Sequence, residues 1–193
     1  IDIIEPIEKL ETNLKHTDNN LELIGKSLIS NINFSELMNE NCNFIKGANE
    51  KIIENGNTVF LNISAANGKP NKYIKNNPNI SIGDITLSLD ATTGLVNKAL
   101  NGFNGYLYKI ESKKYQNYEI YYSLLKKENQ NIIKMNETGT TIKHSPNSKK
   151  QLLVYDFKNK DQLKSFFELS IKIEIYLLSI SNLKNKLINL LIK

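Results

Sequence analysis

The sequence contains no arginine and no tryptophan among its 193 residues, and its only cysteine is Cys42. Every side chain with a fixed positive charge is therefore a lysine, which lacks the planar guanidinium that binds phosphates and guanine bases at two points. Because base readout and base stacking rely heavily on arginine, this absence argues against dedicated nucleic-acid recognition. A single cysteine also excludes a disulfide within the chain.

Long apolar stretches and backbone-breaking residues are scarce as well. The most apolar stretch, residues 171–180, contains Lys172 and Glu174 and is shorter than the roughly 20 residues that a membrane-spanning helix needs. Four prolines, nine glycines and 40% hydrophobic residues place the chain outside the collagen-like, disulfide-rich and disordered classes. Its length fits a single domain, residues 1–193.

The residues that usually form metal and catalytic sites are sparse and scattered. His16 and His144 lie far apart in the sequence, and neither has a cysteine or an acidic cluster at metal-ligand spacing. Cys42 has apolar neighbours, among which a free thiol usually packs as a small hydrophobe. We therefore expect no metal, no cofactor and no enzyme activity. A hydrolase or transferase would require the fold to bring distant titratable groups together.

The residues in excess are asparagine, isoleucine and lysine, with 29, 26 and 25 copies. The net charge is +5 and is unevenly distributed, since residues 1–50 contain nine acidic side chains and four lysines, whereas residues 101–150 contain four and nine. An acidic beginning thus precedes a basic body. If the basic lysines share a face, it would attract a sulfated glycan or an anionic surface; otherwise they form an ordinary solvated surface.

Both ends of the chain have the heptad spacing of apolar residues that is typical of packed helices. This spacing predicts a helix from about residue 6 to residue 30, with a kink at 16–20 as the alternative, and a helix over 160–193, with a strand over 169–177 as the alternative. We expect the two apolar seams to pack on one another, unless the last turns form a homodimer contact. The seam positions are Ile7, Leu10, Leu14, Leu21, Ile24 and Leu28, and Leu169, Ile173, Tyr176, Ile180, Leu183, Leu187 and Leu190.

Between the terminal helices the pattern changes to short alternating segments separated by turn residues. A second N-terminal helix is predicted over residues 33–46, closed by Gly47, and a short helix near 91–101. Residues 57–157 otherwise predict antiparallel strands, with residues 65–79 as a mobile surface loop. The strand segments are 59–63, 80–90, 105–112, 118–127, 131–135, 140–144 and 151–157.

The predicted fold class is therefore α+β. A meandering antiparallel sheet of about five to seven strands would carry the long N-terminal and C-terminal helices, packed together or on one face. Six of the nine tyrosines lie at positions 106–122, near lysines, and this mixture is typical of recognition surfaces, although ring packing across strands is the alternative. The predicted contact residues are Tyr108, Lys109, Lys113, Lys114, Tyr118 and Tyr121.

The acidic helical start EKLETNLKHTDNNLE, the excess of lysine, asparagine and isoleucine, the single cysteine and the missing arginine and tryptophan resemble the ectodomain of a spirochaete surface lipoprotein of the Borrelia type. The resemblance implies an acylated cysteine upstream of Ile1, a tether, and a folded module at the cell outer membrane or in the periplasm. It also implies a host protein or sulfated glycan as partner and no catalytic activity. Cys42 cannot be the lipid-bearing residue, because folded sequence precedes it.

The predicted function is accordingly that of a non-enzymatic, lipid-anchored surface or envelope protein, monomeric or homodimeric. It would bind a host or envelope partner through its tyrosine and lysine face and would bind no specific nucleic acid. The alternative is an intracellular or phage-type interaction module that dimerises through its terminal helices. A cryptic hydrolase is the third hypothesis.

Overall fold

The computed structural model describes residues 4–54 and 56–191, apart from the side chain of Leu191. The predicted α+β class is confirmed, with long helices at both ends and short strands between them. The helices are α1 (Ile4–Leu28), α2 (Met38–Asn41), α3 (Ile63–Ala66), α4 (Asn117–Leu125), α5 (Lys127–Met135) and α6 (Lys160–Leu191). The strands are β1 (Ile32–Leu37), β2 (Cys42–Lys46), β3 (Thr58–Leu61), β4 (Tyr73–Ile74), β5 (Ile85–Leu87), β6 (Val96–Lys98), β7 (Phe103–Asn104), β8 (Tyr108–Ser112) and β9 (Leu153–Phe157). A 3-10 helix, Pro146–Lys150, precedes β9.

The strands form three small sheets, so the predicted sheet of five to seven strands is too large. β1 pairs with β9, the order β2-β8-β5-β6 makes a four-stranded sheet, and β4-β3-β7 makes a three-stranded one. These pairs are antiparallel except for β3 with β7, which run parallel. Strands of two to six residues limit how far each sheet extends.

The helix predicted over residues 33–46 is wrong, since this segment forms β1, one turn of helix and β2. Leu37 on β1 pairs with Leu153 on β9, and Phe44 on β2 pairs with Ile110 on β8. Pairing with distant strands has overridden the local helical spacing of the apolar residues, as tertiary context often does for short segments. Gly47, predicted to end a helix, instead lies against the backbone of Gly105, where an added Cβ would be 2.3 Å from the carbonyl oxygen.

The strands predicted over 118–127 and 131–135 are also wrong, because these residues form α4 and α5. A capping box starts α4, with the Glu119 carboxylate accepting a hydrogen bond from the Gln116 N–H at 2.9 Å. Since α4 is buried on nearly all sides, its apolar residues lack the one-sided spacing that marks a helix. Its buried side chains are Tyr118, Glu119, Ile120, Tyr121, Tyr122, Ser123 and Leu124.

The helix predicted near 91–101 is replaced by the hairpin of β5 and β6, in which Ile85 pairs with Lys98. Ala91 and Gly94 have φ values of 62° and 82° in the connecting turn, which a right-handed helix does not allow. The strand predicted over 140–144 is absent from the described residues, where single bridges join His144 to Thr138 and to Asp90.

The two terminal helices are continuous, so neither the kink at 16–20 nor the strand over 169–177 forms. They pack against each other in opposite directions, since Glu8 pairs with Lys184 at 2.6 Å and Asp18 accepts a hydrogen bond from Ser170. One row of each predicted seam lies at least partly buried in this contact, as Leu21 and Ile173 illustrate. The other rows are exposed: Leu10, Ile24, Leu169, Tyr176, Leu183 and Leu190.

The main core lies where α4 packs against β9 and α6, with the four-stranded sheet beside it. A smaller apolar cluster includes Leu61 of β3 in the three-stranded sheet and Leu107 just before β8. Completely or almost completely buried side chains in the main core are Met38, Ile85, Leu87, Ile110, Ile120, Leu124, Phe157 and Leu163.

Candidate functional site

The predicted contact residues Tyr108 and Lys109 lie on β8, and successive side chains of a strand point to opposite faces. Tyr108 is 5% exposed and belongs to the main core. Lys109 is bound to two carboxylates, 2.9 Å from Asp84 and 2.8 Å from Glu111. Burial lowers the pKa of Lys109, but its hydrogen bonds to these carboxylates outweigh burial and raise that pKa above its ordinary value. Its charge is therefore largely compensated.

Lys113 and Lys114 are exposed just after β8, where they line a polar groove of about 630 Å³. Three carboxylates line the same groove, from Glu40, Asp84 and Glu111. Lys114 also forms an ion pair with Glu36. The groove is thus mixed in charge and does not present an excess of positive side chains.

Tyr118 and Tyr121 lie on α4 and are 6% and 4% exposed, inside the core. The hydroxyl of Tyr121 donates to Glu22 of α1 at 3.3 Å, and burial raises the pKa of both tyrosines above the ordinary range. The structure therefore does not bring the six predicted residues together on one sheet face. Their part in binding stays a prediction, and only Lys113 and Lys114 are well exposed.

A different pair of lysines shares the ring of Tyr108. The Nζ atoms of Lys46 and Lys149 lie 5.7 and 4.4 Å from the ring centroid, within the range of cation–π attraction. Asp90 faces Lys46, with 3.6 Å between its carboxylate and Nζ. Both ammonium groups thus lie near one ring, and only Lys46 has a carboxylate partner among the described residues, so the pair retains positive charge that attracts an anion.

Two loops beside this lysine pair are held together by several contacts. The ring of His144 lies 2.7 Å from the carboxylate of Asp90, and the Ala91 N–H donates to the Lys143 carbonyl at 2.8 Å. Among the described residues Ala91 alone, apart from glycines, has a positive φ, at 62°. A positive φ strains the backbone of a residue other than glycine. Strained residues persist only where the surrounding contacts enforce their conformation, and they are concentrated at functional sites. These contacts fix the position of the loops around Lys46 and Lys149.

We call residues 62–79 the Asn loop. Residues 65–79 were predicted to be a mobile surface loop, but α3, β4 and side-chain hydrogen bonds hold the segment in place. Asn62 caps α3 by accepting from the Ala65 N–H at 2.9 Å, and its Nδ2 donates to Asn71 at 3.2 Å. Asn79 accepts from the Asn104 N–H at 2.7 Å. The loop contains Lys69, Lys72 and Lys75, and residues 55–83 contain no acidic side chain.

Backbone contacts connect the Asn loop to the lysine pair. The Gly105 N–H donates to the Leu61 carbonyl at 3.1 Å, and the Ala48 N–H donates to the Asn104 carbonyl at 3.0 Å. Next to them Tyr106 is 45% exposed and packs edge-on against Phe60, with 5.3 Å between ring centroids. We call this connected stretch the basic edge; its side chains are Lys46, Lys69, Lys72, Lys75, Tyr106 and Lys149.

The remaining histidine, cysteine and acidic side chains of the described residues are not grouped as metal ligands. Across the described residues no group of three or more histidine, cysteine or acidic side chains is placed to hold a metal ion. Cys42 is buried, and burial raises the pKa of its thiol, which disfavours the reactive thiolate. None of the described helices is long and apolar enough to cross a membrane.

The fold has counterparts among solved structures. No family model matches the sequence, and no curated protein does. The crystal structure of the S subunit of a type I restriction-modification system from M. genitalium is similar, with a TM-score of 0.57 and 21% identity over 72% of this chain and 38% of that subunit. The HsdS subunit from Thermoanaerobacter tengcongensis has a TM-score of 0.50 and 14% identity over 93% of this chain and 50% of its own. The fold resembles that of S subunits. The chain spans half or less of the length of either one.

These similarities contradict the spirochaete surface lipoprotein, together with its lipid anchor and its location at the cell outer membrane, because both counterparts are subunits of restriction-modification systems. The interaction module that was the alternative hypothesis fits them better. The lipoprotein resemblance depended on composition alone, and composition does not determine which residues meet in space. A local signal for the basic edge does exist in the sequence, namely the run of lysine and asparagine without acidic residues over 55–83.

Proposed function

We propose that this chain is a non-enzymatic DNA-recognition module of the type I restriction-modification S-subunit kind. The observation that carries the proposal is the fold similarity to two S subunits, one of which matches 93% of the chain. S subunits bind DNA and assemble with the other subunits of their system. The proposed role is binding alone, with no catalytic step assigned to these residues.

The same similarities contradict the prediction of a host protein or sulfated glycan as partner and of no specific nucleic acid. That prediction rested on the missing arginine. Arginine is the usual residue for reading guanine, but most of the affinity for DNA comes from neutralising phosphates and releasing their counterions. Lysine does this as a point charge, so its exclusive use leaves the main source of affinity intact.

The basic edge contains the lysines that best suit DNA phosphates. Its lysine pair, Lys46 and Lys149, has one carboxylate nearby, and each ammonium group would attract a phosphate. The lysines of the Asn loop lie in a segment without acidic side chains. The groove at Lys113 and Lys114 is less suitable, because three carboxylates line it.

The test is the affinity of the chain for a labelled DNA duplex of mixed sequence, measured by fluorescence anisotropy over a salt series. The logarithm of the binding constant should fall linearly with the logarithm of salt concentration, with a slope of about −0.9 per neutralised phosphate. Replacing Lys46 and Lys149 with glutamine should weaken binding on all sequences and make the slope less negative by about 2.

The matched control replaces Lys113 and Lys114 with glutamine, which removes the same charge from the groove. This variant should bind the duplex as the unaltered chain does, apart from the small long-range effect of two charges. A larger loss from the control than from the Lys46 and Lys149 pair would move the interface to the groove. Failure of the unaltered chain to bind any duplex at low salt would contradict the proposed function.

A further inference from the structure

We propose that the Asn loop reads its DNA target through amide side chains, chiefly Asn76 and Asn77, and therefore selects A·T base pairs where it contacts the major groove. This inference rests on the proposed function and adds the class of DNA sequence that is recognised. It follows from three features of the chain: the side-chain chemistry of the loop, the accessibility of these two amides, and the scarcity in this segment of side chains that recognise G·C pairs.

The chemistry of an amide matches adenine. In the major groove adenine presents an acceptor at N7 and a donor at N6, and an amide has one acceptor oxygen and one donor NH₂ group to pair with both. Guanine presents two acceptors, N7 and O6, so an amide can satisfy it only through its NH₂ group. Lysine has three donors and no acceptor, and it cannot pair with the N6 donor of adenine.

Asn76 and Asn77 are the amides of the loop that are exposed and also have no hydrogen-bond partner among the described residues. By contrast Asn62 and Asn79 hold the loop together, and Asn67 donates to the Ile63 carbonyl at 3.0 Å. The Asn loop thus contains asparagines whose side chains stabilise its fold, and two asparagines, Asn76 and Asn77, whose amides are free to bind a ligand.

The free amides are held in place from both sides. On one side Ile74 belongs to β4 and is 1% exposed. On the other side the Asn79 N–H donates to the Gly102 carbonyl at 2.9 Å, and the Asn79 side chain accepts from Asn104. Residues 75–78 are therefore a short turn with anchored ends, including Pro78, so little conformational freedom remains to be lost on binding.

Few side chains in residues 55–83 can recognise G·C base pairs. Arginine, the commonest partner of guanine, is absent from the whole chain, and residues 55–83 contain no aspartate or glutamate to accept from the N4 group of cytosine. Three lysines remain, Lys69, Lys72 and Lys75, and phosphates compete for them. The missing arginine thus restricts which bases this loop can read.

The test is selection of bound duplexes from a randomised DNA pool with the whole 193-residue chain, followed by sequencing. We expect enriched positions to be A·T pairs. Changing Asn76 and Asn77 to alanine should reduce the preference for A·T over G·C at these positions by about tenfold or more, while affinity for unselected DNA changes little. Both side chains are exposed and unpartnered, so the variant should fold normally, which a thermal melt would verify.

The control variant replaces Lys69, Lys72 and Lys75 with alanine, which removes their charge without adding an amide to the loop. It should lower affinity for every duplex and leave the selected sequence unchanged, because phosphate contacts carry no direct sequence information. A selected sequence made of G·C pairs, or one unaffected by the two alanines, would overturn the inference. Binding without any selected sequence would overturn it and leave the proposed function standing, whereas no binding to any duplex would remove both.

Discussion

The pair of long helices, α1 and α6, and the sheet-bearing part between them differ in what their contacts are made of. In the sheet-bearing part the largest fully buried side chains are all apolar, as Ile120 on α4 and Phe157 on β9 illustrate with no measurable exposure. In the helix pair the contact mixes apolar residues with charged ones, and Glu8 and Lys184 form an ion pair between the helices. An apolar row on α6 meanwhile faces outward, including Tyr176 at 63% and Leu183 at 51% exposure.

One buried lysine lies at the boundary between the two regions. Lys98 on β6 is 5% exposed, and its Nζ lies 3.2 Å from Glu174 and 2.6 Å from the Ser170 hydroxyl. The centroid of the Tyr121 ring lies 4.9 Å from the same Nζ atom. The Ser170 hydroxyl in turn donates a hydrogen bond to Asp18 of α1. Such directional contacts set the orientation of the helices on the sheet-bearing part more narrowly than apolar packing does. The comparison teaches that polar contacts as well as apolar packing hold the helix pair on the sheet-bearing part.

The largest loss of unfolding free energy is expected from removing Lys98. Changing Lys98 to methionine leaves the Glu174 carboxylate buried without its partner, and loss of one member of a buried pair costs about 3–5 kcal/mol of the free energy of unfolding. Urea denaturation followed by circular dichroism would measure it. Replacing Glu174 with leucine in the same variant should restore most of the loss, because the unpaired charge is then gone.

The dependence of that loss on pH gives a second measure of the same contact. Burial raises the pKa of Glu174, and Lys98 opposes the rise. Without Lys98 the folded-state pKa rises further above the unfolded value, so the neutral carboxyl is favoured in the fold. The destabilisation should therefore be smallest below the unfolded pKa and grow as the pH rises through the folded pKa. A loss that is the same at acidic and neutral pH would show that the charge of Glu174 is not its cause.

A smaller effect is expected from a matched pair of isoleucines on α6. Ile173 is 4% exposed and Ile175 is 36% exposed on the same helix. Changing Ile173 to alanine should cost about 2–5 kcal/mol of unfolding free energy, and the same change at Ile175 less than about 1 kcal/mol. Equal losses at the two positions would mean that the buried face of α6 is rotated from the one described.

The same helix pair shows how far the sequence could predict the fold. Heptad spacing predicted both helices and their mutual packing, because an apolar row recurs on each of them. On each helix the heptad prediction placed only one of the two contact rows correctly. The other residues in the contact are partly polar: they include Glu11 and Asp18 on α1, and Ser170 and Glu174 on α6. Polar residues in a contact give no hydrophobic signal, so the exposed apolar row was taken for the buried one.

The sheet-bearing part shows a different limit. β8 and β9 were predicted because turn residues bound short apolar segments, whereas α4 was missed because burial on nearly all sides removes its periodicity. The lysine pair of the candidate site was missed because Lys46 and Lys149 are distant in sequence, and only the fold brings both near the ring of Tyr108. The lysine and asparagine run over 55–83 was visible, but the missing arginine was taken to exclude nucleic acid rather than to restrict base preference.

The smallest change in unfolding free energy is expected from a substitution in the exposed apolar row of α6. Changing Leu183, which is 51% exposed, to glutamine should alter the unfolding free energy by no more than about 0.5 kcal/mol, since the two residues have similar helix propensities and little apolar area is lost. Urea denaturation at two protein concentrations would measure this. A loss above about 2 kcal/mol that grows with protein concentration would show that the row packs against a second copy, because association stabilises the folded state by mass action. The contrast between an apolar core and a partly polar helix contact would then hold only for the isolated chain.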